Sequence, residues 1–201
     1  MKYRIGNVKQ VLQDKDFEVF VHGCNLQGLF AAGIAGVVRS VYPECYDEYM
    51  KGVDSGEYEG GQMIPYEVES GTRYNLDIGL LDPDYFPDYD SALDVVRFDF
   101  PGDYKGGNYN ITEDEYSSKV ILNAFTQIHP GANGSYDLVD KAFATIGRVY
   151  DAKISFPLIG CGIAGLNWNI VKEIIDYRLV GKDYECIVRM EDVMKYKLLN
   201  D

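Results

Sequence analysis

Two short apolar strands in this chain each run into a glycine-rich loop that opens a helix. Phe17–Val21 leads into the first glycine loop, residues 28–33, and Ile154–Ile159 leads into the second glycine loop, residues 160–165. Ligands of open α/β sheets bind outside the carboxyl ends of the strands, where small residues let the backbone approach closely. Each new helix adds free N–H groups and the positive end of its dipole, which suit phosphate. The two loops predict a site for the two phosphates of a dinucleotide-like ligand; the alternative is two tight turns without a ligand.

Neither glycine loop carries a standard nucleotide-binding motif. Neither matches the G-x-x-x-x-G-K-[ST] pattern of NTPases, and neither gives G-x-G-x-x-G with an acidic residue about 20 positions further on. Both the NTPase and the NAD-fingerprint hypotheses therefore fail.

The order of the predicted elements indicates an α/β class. Apolar residues at helical spacing follow each glycine loop, and Lys119–Phe125 is a nearly continuous apolar run, typical of a central strand covered on both faces. Ser135 is the predicted N-cap of the next helix. Further strands are predicted at residues 62–68, 95–98 and 185–190. Such alternation predicts helices on both faces of a mainly parallel sheet.

Residues 70–118 differ from the rest of the chain. They are rich in Asp, Tyr, Gly and Pro and show little regular pattern, and the stretch is too long for an ordinary connection. We expect a long Tyr/Asp-rich insertion within one domain spanning residues 1–201. The insertion is a candidate lid over the site, a surface for a protein partner or a self-association contact.

The charge balance excludes several function classes. Nineteen basic and 32 acidic residues give a formal net charge of −13, which argues against binding of nucleic-acid phosphates. No apolar run approaches the roughly 18 residues of a membrane span, and the N-terminus lacks the apolar core of a signal peptide. The four cysteines form no C-x-x-C pair, so we expect no metal site, no cofactor, and reduced thiols in a cytoplasmic protein.

Four segments together carry a family resemblance: Val21-His22-Gly23-Cys24-Asn25, Gly33-Ile34-Ala35, Asn123-Ala124-Phe125-Thr126-Gln127 and the stretch Pro157–Gly165. In this order they resemble a macrodomain, and within that family the ADP-ribose 1″-phosphate phosphatases of the yeast, bacterial and phage type. The resemblance covers residues 1–68 and 119–190. It implies a three-layer α/β/α sandwich with a mixed sheet, and an ADP-ribose derivative bound across the carboxyl edge of that sheet.

The resemblance also implies a set of ligand contacts. Asn25 and the first glycine loop correspond to the surroundings of the distal ribose, and the second glycine loop corresponds to the pyrophosphate loop. The implied ligand-binding residues are Asn7, Val8, Gly28, Phe30, Ala32, Gly33, Ile34, Asn123, Gly160, Cys161, Gly162, Ile163, Ala164 and Gly165. Asn7 stands where the family has an Asp that accepts a hydrogen bond from the adenine amino group. The Asn7 carbonyl can accept that bond without the added strength of a charge.

Asn25 and His22 are the candidate catalytic residues. Asn25 has donor and acceptor groups that can orient a ribose hydroxyl or a water; the alternative is a turn Asn that caps its own backbone. His22 can transfer a proton near neutral pH, and the resemblance implies a catalytic role for it. The alternative is a buried histidine at the end of a strand.

Four other residues have a structural interpretation beside a functional one. Cys161 and Cys24 are interpreted as small packing residues rather than nucleophiles. Phe30 either stacks on the distal ribose or anchors its loop in the core. His129 is interpreted as a turn residue that can also reach the rim of the site.

The expected activity is hydrolysis of ADP-ribose 1″-phosphate to ADP-ribose and phosphate. The alternatives are a non-catalytic module that binds ADP-ribose or a related signalling nucleotide, and a water-based hydrolase that removes ADP-ribose from protein. A macrodomain branch that removes ADP-ribose from glutamate or thymidine uses a Lys after the central strand, and its protein-glutamate members also use an Asp in the second glycine loop. The corresponding residues here are Gln127 and Ala164, which can supply neither a nucleophile nor an acid.

Overall fold

The computed structural model describes residues 1–68 and 119–198. The predicted insertion at 70–118, with its expected strand at 95–98, lies outside these residues. Along the described chain the elements are β1 (Lys2–Ile5), α1 (Val8–Gln13), β2 (Val19–Asn25), α2 (Gly33–Val41), α3 (Pro43–Ser55), β3 (Met63–Glu67), β4 (Val120–Gln127), α4 (Tyr136–Val149), β5 (Ile154–Phe156), α5 (Trp168–Arg178), β6 (Tyr184–Val188) and α6 (Met190–Tyr196).

The strands of the described residues form one sheet in the order β1-β6-β5-β2-β4-β3. All neighbouring pairs are parallel except β3 with β4, which is antiparallel. The sheet is therefore mixed and mainly parallel, as expected. Parallel order brings the carboxyl ends of β1, β5, β2 and β4 to a single edge, and both glycine loops leave the sheet there.

Helices cover both faces of the sheet. One core cluster packs α4, α5 and α6 against side chains such as Val21 and Leu122, and the other packs α1, α2 and α3 against side chains such as Phe20 and Ile121. Strand β4 is buried on both faces, which explains its nearly continuous apolar sequence. This confirms the three-layer α/β/α sandwich.

Local signals in the sequence explain where several helices begin and end. Pro43 occupies the first turn of α3, where its missing N–H costs no hydrogen bond, and Gly56 ends that helix with a positive φ of 69°. The Ser135 hydroxyl accepts a hydrogen bond from the N–H of Leu138 at 3.4 Å and caps α4, as predicted.

The four cysteines are buried free thiols. Among the described residues no group of three or more His, Cys, Asp or Glu side chains could hold a metal ion. No helix of the described part is long and apolar enough to cross a membrane.

We predict that Ser135→Ala lowers the free energy of unfolding by about 1 kcal/mol, because it removes the side-chain cap of α4. Ser40→Ala is the matched control. Ser40 is an exposed residue of α2, and its hydroxyl donates a hydrogen bond only to the carbonyl of Val37 in the same helix. Urea unfolding of both variants measures the difference. Equal losses in the two variants would contradict a capping role for Ser135.

Candidate functional site

Three loops surround the carboxyl edge of the sheet. Besides the two glycine loops, a middle loop of residues 128–134 connects β4 to α4. A Cβ built on Gly33 of the first glycine loop would lie 3.8 Å from Cδ1 of Ile163 in the second glycine loop. The N–H of Gly134 donates to the Ala164 carbonyl at 3.0 Å, which joins the middle loop to the second glycine loop.

The middle loop also contacts the residues that lead into the first glycine loop. Gln27 Nε2 lies 2.6 Å from Nδ1 of His129, and the N–H of Leu26 donates to the Ile128 carbonyl at 3.3 Å. The three loops therefore lie next to one another around this edge of the sheet, and we call them the ring. His129, interpreted from sequence as a turn residue near the rim, is an exposed member of that ring.

Helix α2 begins at the ring without a side-chain cap. Its N-cap residue, Ala32, supplies no side-chain hydrogen bond, and no acidic residue lies in the first turn. The N–H groups of Gly33, Ile34 and Ala35 come before the first N–H that can bond within the helix, so they point out of its end. The positive end of the α2 dipole thus faces the space between the loops.

The second glycine loop presents a similar set of donors. Within it the N–H of Gly165 donates to the Gly162 carbonyl at 3.2 Å, and the N–H of Leu166 donates to the Gly160 carbonyl at 2.9 Å. The N–H groups of Gly162, Ile163 and Ala164 donate to no acceptor in residues 1–68 and 119–198. Gly160 and Gly165 have positive φ angles of 69° and 78°, which shape this turn and favour glycine.

Two apolar side chains accompany these donors. Leu29 and Ile163 are each 59% exposed, one from each glycine loop. Apolar surface beside free N–H groups suits a ligand that combines phosphate with sugar or base.

Asn25 organises the start of the first glycine loop. Its Oδ1 accepts from the N–H groups of Gln27 at 2.9 Å and Leu29 at 3.3 Å, and its Nδ2 donates to the Leu29 carbonyl at 2.7 Å. The side chain is buried, so this is the turn-capping arrangement that the sequence analysis gave as the alternative. One N–H of Nδ2 makes no bond within the described residues.

His22 lies inside the core beneath the first glycine loop. Asn123 Nδ2 donates to the Ile64 carbonyl at 3.1 Å, so Asn123 Oδ1 is the atom that faces His22 Nε2, at 2.8 Å. The neutral ring therefore carries its proton on Nε2. Burial lowers the pKa of His22 to about 4, although the hydrogen bond to Asn123 opposes that shift. This geometry speaks against the expected role of general acid or base, because the ring does not reach the surface and is neutral at pH 7.

Phe30 and Asn123 are also core residues, where the resemblance implied ligand contacts. Phe30 is 2% exposed and its ring lies 4.6 Å from that of Tyr49 and 5.3 Å from that of His22. Asn123 of β4 is fully buried, and its side chain contacts His22 of β2 and the Ile64 carbonyl of β3. Phe30 therefore anchors its loop in the core, which is the alternative interpretation, and Asn123 joins neighbouring strands.

Burial disfavours the thiolate form of the cysteines near the site. Burial raises the pKa of Cys161 to about 12, while the nearby Lys195 ammonium opposes the shift. Burial also raises the pKa of Cys24. A thiol that stays protonated at neutral pH is a weak nucleophile, which supports the packing interpretation.

Asn7 and Val8 lie at the far end of the same edge, after β1. Asn7 is exposed and caps α1, since its Oδ1 accepts from the N–H of Lys9 at 2.9 Å. In the sheet order β6 and β5 stand between β1 and β2, so the second glycine loop lies between Asn7 and the first glycine loop.

Gln127 is the partner of Asn25 in the register of β2 and β4. Its Nε2 donates to the His129 carbonyl at 3.0 Å, and the Ala164 carbonyl accepts from Gly134. Gln127 and Ala164 therefore both form hydrogen bonds with the middle loop.

Sequence reasoning missed the residues that support the loops from neighbouring helices. Tyr49 of α3 donates a hydrogen bond to the Asn25 carbonyl at 2.6 Å. Tyr196 of α6 donates to the Cys161 carbonyl at 3.5 Å, and its neighbour Lys195 lies near the second glycine loop. Tyr46 and Tyr49 stand three residues apart, a spacing that places them on one helix face, whereas α6 has no distinctive sequence pattern.

Comparison with known proteins supports the fold. No family model and no curated protein matches this chain. Among solved structures, the macrodomain of Thermus aquaticus DarG matches with a TM-score of 0.59 at 18% identity, covering 93% of this chain and 97% of that one. The macrodomain of Mycobacterium tuberculosis DarG matches with a TM-score of 0.58 at 21% identity, covering 92% of this chain and 95% of that one.

A third solved structure is Thermosipho africanus DarTG in complex with ADP-ribose. It matches with a TM-score of 0.61 at 16% identity, covering 92% of this chain but only 40% of that one. These likenesses show that the chain has the macrodomain fold.

We predict that acidification from pH 7 to pH 4.5 lowers the free energy of unfolding by roughly 2 kcal/mol through His22 alone. The pKa of His22 is about 4 in the folded chain against 6.5 for the unperturbed group. The unfolded chain therefore binds the extra proton first, and stability falls as the pH falls through this window. Urea unfolding at the two pH values measures the loss.

His22→Gln is expected to remove that part of the pH dependence, whereas His129→Gln, which changes the exposed histidine, keeps it. The same pH dependence in His22→Gln and in the unmodified protein would show that His22 is not held neutral by burial.

Proposed function

We propose that this protein binds ADP-ribose or a close derivative at the carboxyl edge of its sheet. The observation that carries the proposal is the meeting of two sets of free N–H groups, those at the start of α2 and those of Gly162, Ile163 and Ala164. The two glycine loops approach to 3.8 Å between Ile163 and the Cβ position of Gly33. Two adjacent donor sets match the two phosphates of a pyrophosphate.

Electrostatics explain how a chain of net charge −13 holds an anion. The positive partial charge at the start of α2 acts within about one turn, and no acidic side chain in that turn cancels it. Lys195 adds a cation near the second glycine loop. Both features place positive charge near the ring although the net charge of the chain is negative.

The rest of the edge suits the remaining parts of the ligand. We assign the base to the side of Asn7 and the distal ribose to the side of Asn25 and the first glycine loop, as the sequence resemblance implies. The macrodomain fold supports this assignment, since one matched structure, Thermosipho africanus DarTG, is in complex with ADP-ribose.

We predict that Gly162→Glu weakens ADP-ribose binding at least tenfold, because it sets a carboxylate against the phosphates. The site tolerates a side chain, since a Cβ at Gly162 meets no atom within 4 Å and its φ is not positive. Calorimetric titration with ADP-ribose measures the effect.

Two control variants separate charge placement from other effects. Gly162→Ala should bind within about threefold of the unmodified protein, since a methyl group adds no charge. Ser40→Glu makes the same change of charge at an exposed residue of α2, and it should not alter the affinity for ADP-ribose. Full affinity in Gly162→Glu would contradict the phosphate assignment, and no binding by the unmodified protein would refute the proposed ligand.

A second candidate function is hydrolysis of the phosphomonoester of ADP-ribose 1″-phosphate. The exposed position of His129 on the ring favours it, because this imidazole can transfer a proton where the buried His22 does not. A water would form a bond to phosphorus, the bond from phosphorus to the ribose oxygen would break, and that oxygen would take up a proton. The remaining Nδ2 N–H of Asn25 would orient the ribose.

Phosphorus NMR of ADP-ribose 1″-phosphate with stoichiometric protein tests this activity. We expect the monoester signal to disappear and free phosphate to appear, roughly a hundredfold more slowly with His129→Gln. Asn25→Ala should lose both activity and affinity. Shifted pyrophosphate signals without free phosphate would refute hydrolysis and leave the non-catalytic binding module or removal of ADP-ribose from protein, the latter read as release of label from modified protein.

A further inference from the structure

Helix α3 supports the first glycine loop from below. The Tyr49 ring packs 4.6 Å from that of Phe30. A Cβ on Gly28, whose φ is 73°, would lie 3.2 Å from Sδ and Cε of Met50. The first glycine loop therefore rests on two consecutive residues of α3, Tyr49 and Met50. The positive φ of Gly28 favours glycine at the point where the loop touches the helix.

The hydroxyl of Tyr49 is the polar part of this contact. It donates to the Asn25 carbonyl at 2.6 Å. Burial raises the pKa of the Tyr49 phenol, and the backbone of Gly28 opposes that shift. The buried phenol oxygen thus lies against the turn of residues 25–28.

This bond falls where the sheet becomes irregular. Cys24 pairs with Phe125, but Asn25 pairs with Gln127, so the register of β2 and β4 shifts between Cys24 and Asn25 and leaves Thr126 of β4 as the extra residue. Such an irregularity changes the direction of the chain at the end of a strand pair. The Asn25–Leu26 peptide is held on both sides, by Tyr49 at its carbonyl and by the Ile128 carbonyl at its N–H, at 3.3 Å.

We propose that Tyr49 is a positioning residue of the ligand site: its hydroxyl fixes the Asn25 backbone at the register shift and thereby the direction in which the first glycine loop leads into α2. Without that bond the Asn25 carbonyl loses a buried partner, and the turn that Asn25 closes through Gln27 and Leu29 opens more often. The effect on ligand affinity rests on the proposed function, whereas the effect on the turn does not.

Tyr49→Phe and Tyr42→Phe form a matched pair. The Tyr42 hydroxyl also donates to a main-chain carbonyl, that of Leu12, at 2.7 Å. Tyr42 lies beyond the C-terminal end of α2, away from the ring. Each variant removes one hydroxyl bond to the backbone, so a general loss of stability affects both.

Amide hydrogen exchange of the full chain is the first readout. In Tyr49→Phe the amides of Gln27 and Leu29 should exchange at least about fivefold faster than in the unmodified protein, corresponding to the loss of one buried hydrogen bond. In Tyr42→Phe these amides should stay within about twofold. Unchanged exchange in Tyr49→Phe, or equal acceleration in both variants, would overturn the proposal.

ADP-ribose titration is the second readout. Tyr49→Phe should bind about five- to tenfold more weakly, and Tyr42→Phe should bind as the unmodified protein does. If the unmodified protein binds no ADP-ribose, the proposed function fails while hydrogen exchange still decides the role of Tyr49. If ADP-ribose binds equally to all three proteins, the positioning role is refuted and the proposed function stands.

Discussion

The parallel pairing of β2 with its neighbours β5 and β4 is the constraint on which the site depends. It brings the carboxyl ends of β5, β2 and β4 to one edge of the sheet, so the loops that follow these strands must meet there. Adjacent strands lie about 4.8 Å apart, which places neighbouring loop backbones within contact distance. The ring of contacts between the two glycine loops and the middle loop is a direct consequence. An antiparallel arrangement of the same strands would separate the glycine loops to opposite edges.

Burial decides the chemistry available beneath that edge. His22, Cys24, Cys45 and Asn123 form a polar group inside the apolar layer between the sheet and α2–α3, with Asn123 contacting His22 and Cys45. Desolvation keeps the imidazole neutral and the thiols protonated. Among the described residues no buried side-chain nitrogen or oxygen lacks a hydrogen-bond partner. The group therefore joins β4 to β2, β3 and α3 through Asn123, and any chemistry on the proposed ligand would fall to groups on the ring.

The sequence predicted the parts of this molecule that follow from local pattern. The apolar run of β4 and the cap at Ser135 each have a local physical cause, and the structure has both. The side-chain direction at the end of β2 has a non-local cause. The shift of register at Asn25 and the hydroxyl of Tyr49, 24 residues away, turn that residue toward its own loop. No pattern within either segment reveals the contact.

The acidic composition of the chain and the proposed anionic ligand are compatible, because the net charge and the backbone N–H groups act over different distances. Exposed charges are screened beyond a Debye length of roughly 8 Å at physiological ionic strength, so the net charge is felt weakly at a site that holds no carboxylate in its helix start. Backbone N–H groups act at hydrogen-bond distance and need no side chain. Their direction is set by the loop conformation alone, so the shape of the first glycine loop, and hence the residues beneath it, would control recognition of the proposed ligand. A site of this kind is more sensitive to a lost supporting contact than to a change of surface charge elsewhere.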